Sequence, residues 1–217
     1  MKLEPDHFLI GAPELGQGMH FMEGLAGVPP EPGGSHPGQG TCNALLGLTA
    51  DTYLELITSE PCDSSVTGLQ AYLRQVAEPA LMWWAVRCED LGELQRRLEA
   101  AGCSVRTVVP GSRRLPDGSL LTWELLMPEP DASGIAMPFF IRWDDPDLHP
   151  ARRLASHGEL DMVTLQAPEP GRLQAVLGDS VRVRTGAPRI ELRLRLTEGN
   201  VTMATPKGPV EPISRFF

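Results

Sequence analysis

The chain has 217 residues, 41% of them apolar and 22% charged, which suits one large or two small globular domains. Its formal net charge of −9 argues against a nucleic-acid partner, because such binding leans on clustered Lys and Arg, and the stretches Arg113-Arg114 and Arg182 to Arg195 are broken up by apolar residues. No basic stretch with an apolar core opens the sequence and no apolar run approaches membrane-span length, so no membrane contact and a cytoplasmic location are expected.

Leu3 to Ala12 predicts a first strand, whose alternation puts His7 and Leu9 on one face and Asp6, Phe8 and Ile10 on the other. Leu15, Met19 and Met22 at helical spacing predict a helix after it, with Pro13 tolerated in the first turn and Gly16 and Gly18 weakening it. Part of Val28 to His36 is expected to pair as a second strand. A Gly/Pro-rich loop holding His36 then leads through Thr41-Cys42-Asn43 into an apolar run, a turn at Ala50-Asp51, and the strand Tyr53-Leu54-Glu55-Leu56-Ile57. Tyr53, Glu55 and Ile57 share one face of that strand and Leu54 and Leu56 the other. Glu55 therefore sits between apolar neighbours, either at a solvated sheet surface or in a cavity where something compensates its charge.

Val66 to Val76 predicts a short connecting helix closed by Pro79, and the same order then returns. Ala80 to Glu89 is a strand. Asp90 caps a helix carrying Leu91, Leu94, Leu98 and Ala101 on one stripe, with Glu93 completing a capping box and Gly102 ending it. Strands follow at Cys103 to Val109, Ser119 to Leu126 and Ala136 to Trp143, the first two separated by the turn Pro116-Asp117-Gly118. Past His149-Pro150 the order appears a third time, shortened: a strand at Glu159 to Ala167, a helical stub at Arg172 to Leu177, and strands near Ser180 to Thr185, Arg189 to Leu196 and Val201 to Ala204. The internal repeat divides the chain into a first module at 1–65, a connecting helix and second module at 66–147, and a shortened third at 148–217. Cys42, Cys62, Cys88 and Cys103 have no CxxC spacing and read as reduced thiols.

Several of these motifs resemble the glyoxalase-like branch of the vicinal oxygen chelate superfamily: Asp6-His7, Gly33-Gly34-Ser35-His36-Pro37 with Gly40-Thr41 and Asn43, and Tyr53 to Ile57 in the first module. Gly111-Ser112-Arg113, Pro116-Asp117-Gly118, Trp123, and Pro138 to Ile141 with Trp143 carry the resemblance through the second. The resemblance implies an α+β fold of tandem βαβββ modules, whose curved mixed sheets enclose a cavity with the helices outside. It also implies a divalent metal ion held by His7 and Glu55, and it makes a homodimer the expected assembly. The second module lacks matching donors, with Trp83 standing where the first has His7 and Phe140, Ile141 and Arg142 where a Glu is wanted, so further ligation would fall to His36, Glu124 or a second subunit. Glu191 in the third module is expected on an outer face.

Two functions follow from the resemblance. One is a lyase, isomerase or dioxygenase acting on a small oxygenated organic molecule, with His36 and Glu55 catalytic and the metal on His7 and Glu55 acting as Lewis acid. The other is a metal-independent protein that binds or sequesters a small molecule. Thr41, Asn43, Arg113, Trp123 and Phe140 are expected to contact the ligand in either case, Arg113 by clamping a carboxylate or phosphate. His20, His149 and His157 read as surface or linker residues.

Overall fold

The computed structural model describes residues 1–36, 40–60, 68–114 and 118–206. Pro37, Cys62, Val66, Thr67, Pro116 and Asp117, all used in the sequence reading, lie outside the described residues. Strand alternation organises the rest. In β1 (Glu4–Gly11) and β4 (Thr52–Ser59), which pair in parallel with His7 opposite Tyr53 and Leu9 opposite Glu55, odd-numbered side chains face a cavity while Phe8, Ile10, Leu54 and Leu56 are fully buried behind them. Helix α1 (Leu15–Ala26) covers that rear face. It runs so close that a side chain at Gly18 would meet Leu56, and it ends at Gly27, whose φ of 72° admits the left-handed turn.

The expected middle strand forms as β2 (Glu31–His36), antiparallel to β3 (Thr41–Thr49), which in turn pairs with β4. After α2 (Gly68–Leu73) the order recurs as β5 (Ala80–Arg87), α3 (Leu91–Ala100), β6 (Val109–Arg114), β7 (Leu120–Leu126) and β8 (Phe139–Trp143). Asp90 caps α3 by accepting the Glu93 N–H at 2.8 Å, and Leu91, Leu94 and Leu98 bury its inner stripe. The sixth strand begins later than the sequence suggests. Residues 103–108 contribute one isolated bridge, Val105 to Pro128, and pairing starts only at Val109.

The eight strands form one sheet in the order β2-β3-β4-β1-β5-β8-β7-β6, so two like-ordered halves join where β1 and β5 run antiparallel. The sheet curves until its two ends nearly meet, and Arg113 on β6 reaches across to donate to Asn43 on β3 at 3.3 Å. Both halves belong to the same chain. Among the described residues the fold is thus α+β, with 12 strands, four helices and a curved, nearly closed sheet around a cavity.

The third repeat keeps the element order but not the pairing. Its strands β9 (Gly158–Ala167), β10 (Arg182–Thr185), β11 (Arg189–Leu196) and β12 (Gly199–Ala204) make a separate sheet in the order β10-β9-β11-β12, with α4 (Pro170–Leu177) between β9 and β10. There the first strand lies inside the sheet, parallel to β10 and antiparallel to β11. The His157 N–H donates to Gly47 O at 3.0 Å and ties this unit to β3.

Candidate functional site

The cavity holds about 90 Å³, room for on the order of six to nine water-sized groups. One end is polar, built from His7, His36, Asn43, Glu55 and Arg113. Its far wall is apolar, with Leu121, Trp123 and Leu125 from β7 and Phe139, Ile141 and Trp143 from β8. Tyr53, Leu9, Ile57, Leu69, Met127 and Pro150 fill the remainder.

His7 is held on every side. Its ring stacks on Tyr53 with centroids 4.8 Å apart and meets the edge of Phe139 at 5.5 Å. Its Nδ1 bonds Asp6 Oδ1 at 2.6 Å, which turns Nε2 toward Glu55 Oε2 at 3.4 Å. Glu55 Oε1 accepts from Asn43 Nδ2 at 2.7 Å, and the other end of that amide accepts from Arg113. His36 Nδ1 lies 2.8 Å from Thr41 Oγ1, and Asn43 Nδ2 approaches His36 Nε2 at 3.4 Å. Because Nε2 faces an N–H donor, Nδ1 carries the proton and gives it to Thr41. Burial pushes the His36 imidazole below its ordinary pKa, with Glu55 opposing and Arg113 reinforcing the shift, so at neutral pH this ring is uncharged.

Asp6 overturns the alternation read from the sequence, which sets it on the face opposite His7. The β1–β5 register slips between Pro5 and His7, leaving Asp6 as the extra residue of a bulge. Re-aimed by that kink, its fully buried carboxylate accepts from His7, from Trp143 Nε1 at 3.1 Å and from His149 Nε2 at 3.0 Å, with Arg87 Nη1 3.6 Å away. Burial alone would raise this carboxyl, but the hydrogen bonds from His149 and His7 outweigh it and hold it well below the usual carboxylate range. His149 is likewise not the surface or linker residue expected. It is 2% exposed, and its Nδ1 accepts the Ala151 N–H at 3.2 Å. That bond makes Nε2 the donor to Asp6 and leaves His149 a structural prop. Pro5 was the available signal, since a proline inside a central strand cannot donate to the ladder and marks a bulge.

Of the expected ligand contacts, Asn43, Arg113 and Trp123 line the cavity with His7, His36 and Glu55. Thr41 lies behind His36 and supports it. Phe140 is not on the cavity wall: it alternates with Phe139 and Ile141, so its fully buried ring points into the core on the other face of β8. Trp83 and Trp84 are also core residues, their indole N–H groups donating to Met137 O and Ala136 O. Glu124 faces away from the cavity and pairs with Arg142 at 3.0 Å, and Glu191 lies in the separate second sheet.

The donor set suits a divalent metal poorly. His7 Nε2 and Glu55 face each other as the resemblance implies, but Asn43 occupies Glu55 Oε1, and the second half contributes a guanidinium and apolar side chains where further ligands would stand. Among the described residues no group of three or more His, Cys, Asp or Glu is placed to hold a metal ion.

A curved-sheet α+β protein with a polar-ended internal cavity is the class that fold and site define. Residues 6–180 match the glyoxalase-like domain family, and the chain belongs to that family. A hypothetical protein from Staphylococcus aureus shares the fold at 17% identity and a TM-score of 0.63, covering 97% of this chain and 88% of that one. Methylmalonyl-CoA epimerase from Mycobacterium tuberculosis is similar at 21% identity over 64% of this chain and 86% of that one, with a TM-score of 0.45. A variant of the Streptomyces coelicolor methylmalonyl-CoA epimerase in complex with 2-nitronate-propionyl-CoA gives 20% identity, 65% and 98% coverage, and a TM-score of 0.47. No curated protein matches the chain. Among the described residues no helix is long and apolar enough to cross a membrane.

Proposed function

We propose that the protein binds a small oxygenated organic molecule in this cavity and exchanges a proton with one of its carbons through His7 and Glu55, as an isomerase or lyase does. The observation that carries this reading is the 3.4 Å approach of His7 Nε2 to Glu55 Oε2, with the outer atoms of both groups tied by Asp6 and Asn43. Two such acceptors attract only when one proton lies between them. Held by His7, that proton leaves an ionised Glu55 able to accept another from a carbon beside a carbonyl; a proton returned to that carbon from Glu55 or His7 completes the exchange. Arg113 is the permanent positive charge at this end of the cavity and stabilises negative charge developing on a substrate oxygen. The apolar far wall excludes water from the reacting carbon. Because both halves of the cavity come from one chain, binding needs no second copy.

The test is proton–deuterium exchange at carbon, followed by NMR in deuterated buffer with pyruvate and acetoin as probes. Exchange above the buffer rate is expected with the wild type, falling by about 10²-fold or more in Glu55→Gln and His7→Asn. Ligand-induced thermal stabilisation without any exchange would instead assign the cavity to binding alone, a reading favoured by its apolar β7 and β8 wall.

A further inference from the structure

We infer that the occupant of the cavity is a small monocarboxylate, gripped by the guanidinium of Arg113 with its apolar part against Trp123, Trp143 and Phe139. This rests on the cavity being the ligand site and names the class of molecule it takes. Arg113 is 8% exposed and is the only Lys or Arg among the buried described side chains. A guanidinium withdrawn from water is ordinarily paired with an acid. Among the described residues Arg113 has no carboxylate partner: Nη1 donates to the neutral amide oxygen of Asn43 at 3.3 Å, and the buried Nε has no acceptor at all. The nearest compensation is indirect, through the Asn43 amide to Glu55.

Room for this cation is built into the backbone. A side chain at Gly33 would come within 2.2 Å of Asn43 Oδ1 and 3.0 Å of Arg113 Nη1, so the glycine on β2 leaves the space that the Arg113–Asn43 pair occupies. The Nη N–H donors without a partner among the described residues match the two oxygens of a carboxylate. Charge and size narrow the class further. Among the described residues Arg113 is the only Lys or Arg lining the cavity, His36 is uncharged, and Glu55 opposes a second negative charge, so a monoanion fits where a phosphate dianion does not. About 90 Å³ accommodates the body of a short acid.

Isovalerate and its neutral isostere isovaleramide test this by isothermal titration near neutral pH, with inorganic phosphate as the third ligand. Isovalerate is expected to bind with a Kd on the order of 1 mM, and isovaleramide about tenfold or more weakly. Arg113→Gln should abolish the preference for the acid, and Arg113→Lys, which keeps the charge without the fork, should retain part of it. Equal affinity of wild type for acid and amide, phosphate binding as tight as isovalerate, or no isovalerate binding at tens of millimolar each overturn the inference. An Arg113-dependent acid preference without carbon–hydrogen exchange overturns the proton-transfer reading and leaves the clamp standing; exchange without acid preference does the reverse.

Discussion

Replacing Asp6 with Asn isolates the buried carboxylate that joins β1, β8 and the His149 turn. The wild-type group accepts from His7, His149 and Trp143 and lies 3.6 Å from Arg87, with no exposure to water. An Asn keeps the shape but turns one acceptor oxygen into an N–H donor facing a donor, and it leaves Arg87 without its buried counter-charge. Breaking a buried, hydrogen-bonded ionic contact costs about 3–5 kcal/mol, which for a chain of this size is a fall in Tm on the order of 10 °C. The pH dependence supplies a second readout. Asp6 is depressed below its ordinary 3.8, so its stabilisation is complete above that value and is lost as pH falls through the lower folded-state value. Urea denaturation from pH 7 down to about pH 3 should therefore show a steeper acid loss for the wild type than for Asp6→Asn. A variant within about 1 kcal/mol of wild type at neutral pH, with the same acid slope, would refute the stabilising role assigned to this network.

His36 is held neutral by burial, so the unfolded chain binds its proton first; stability is greatest above its ordinary 6.5 and declines as pH drops from there toward the folded-state value. His36→Asn should flatten that part of the stability profile, measured by urea midpoints between pH 7 and about pH 5. Phe140→Ala should cost about 3–5 kcal/mol by opening a hole in the core while leaving isovalerate affinity near wild type, whereas Phe139→Ala should change that affinity. Dialysis against a chelator should change neither Tm nor isovalerate affinity, because the donor set offers a divalent ion too few ligands; a fall in either, restored by an added metal, would contradict this.

Much of the site was legible because it depends on period-two alternation. His7 and Leu9, and Tyr53, Glu55 and Ile57, fall on cavity faces as their spacing implies, and Asp90 caps α3 by a bond entirely local to the chain. Phe140 shows the cost of choosing the wrong parity: one residue along a strand exchanges cavity for core. Asp6 shows where alternation itself fails, at a bulge opposite another strand. His149, far from Asp6 in sequence, carries no local pattern announcing that it will be buried against a first-strand carboxylate.

The sequence by itself determined the order of strands and helices, the cap that starts α3, and which residues of an unbulged strand share a face, because these follow from short-range sterics, capping and side-chain period. Only the tertiary structure decided what stands across from what. The third repeat has the same element order as the first two, yet β9 pairs with β10 and β11, the second and third strands of its repeat, where β1 and β5 pair in parallel with the last strand of theirs, because pairing depends on which edges are free to meet and not on local periodicity. For the same reason Arg113 was readable as a cation beside a cavity, while its burial beside an amide and no described carboxylate emerged only when the two ends of the curved sheet closed upon each other.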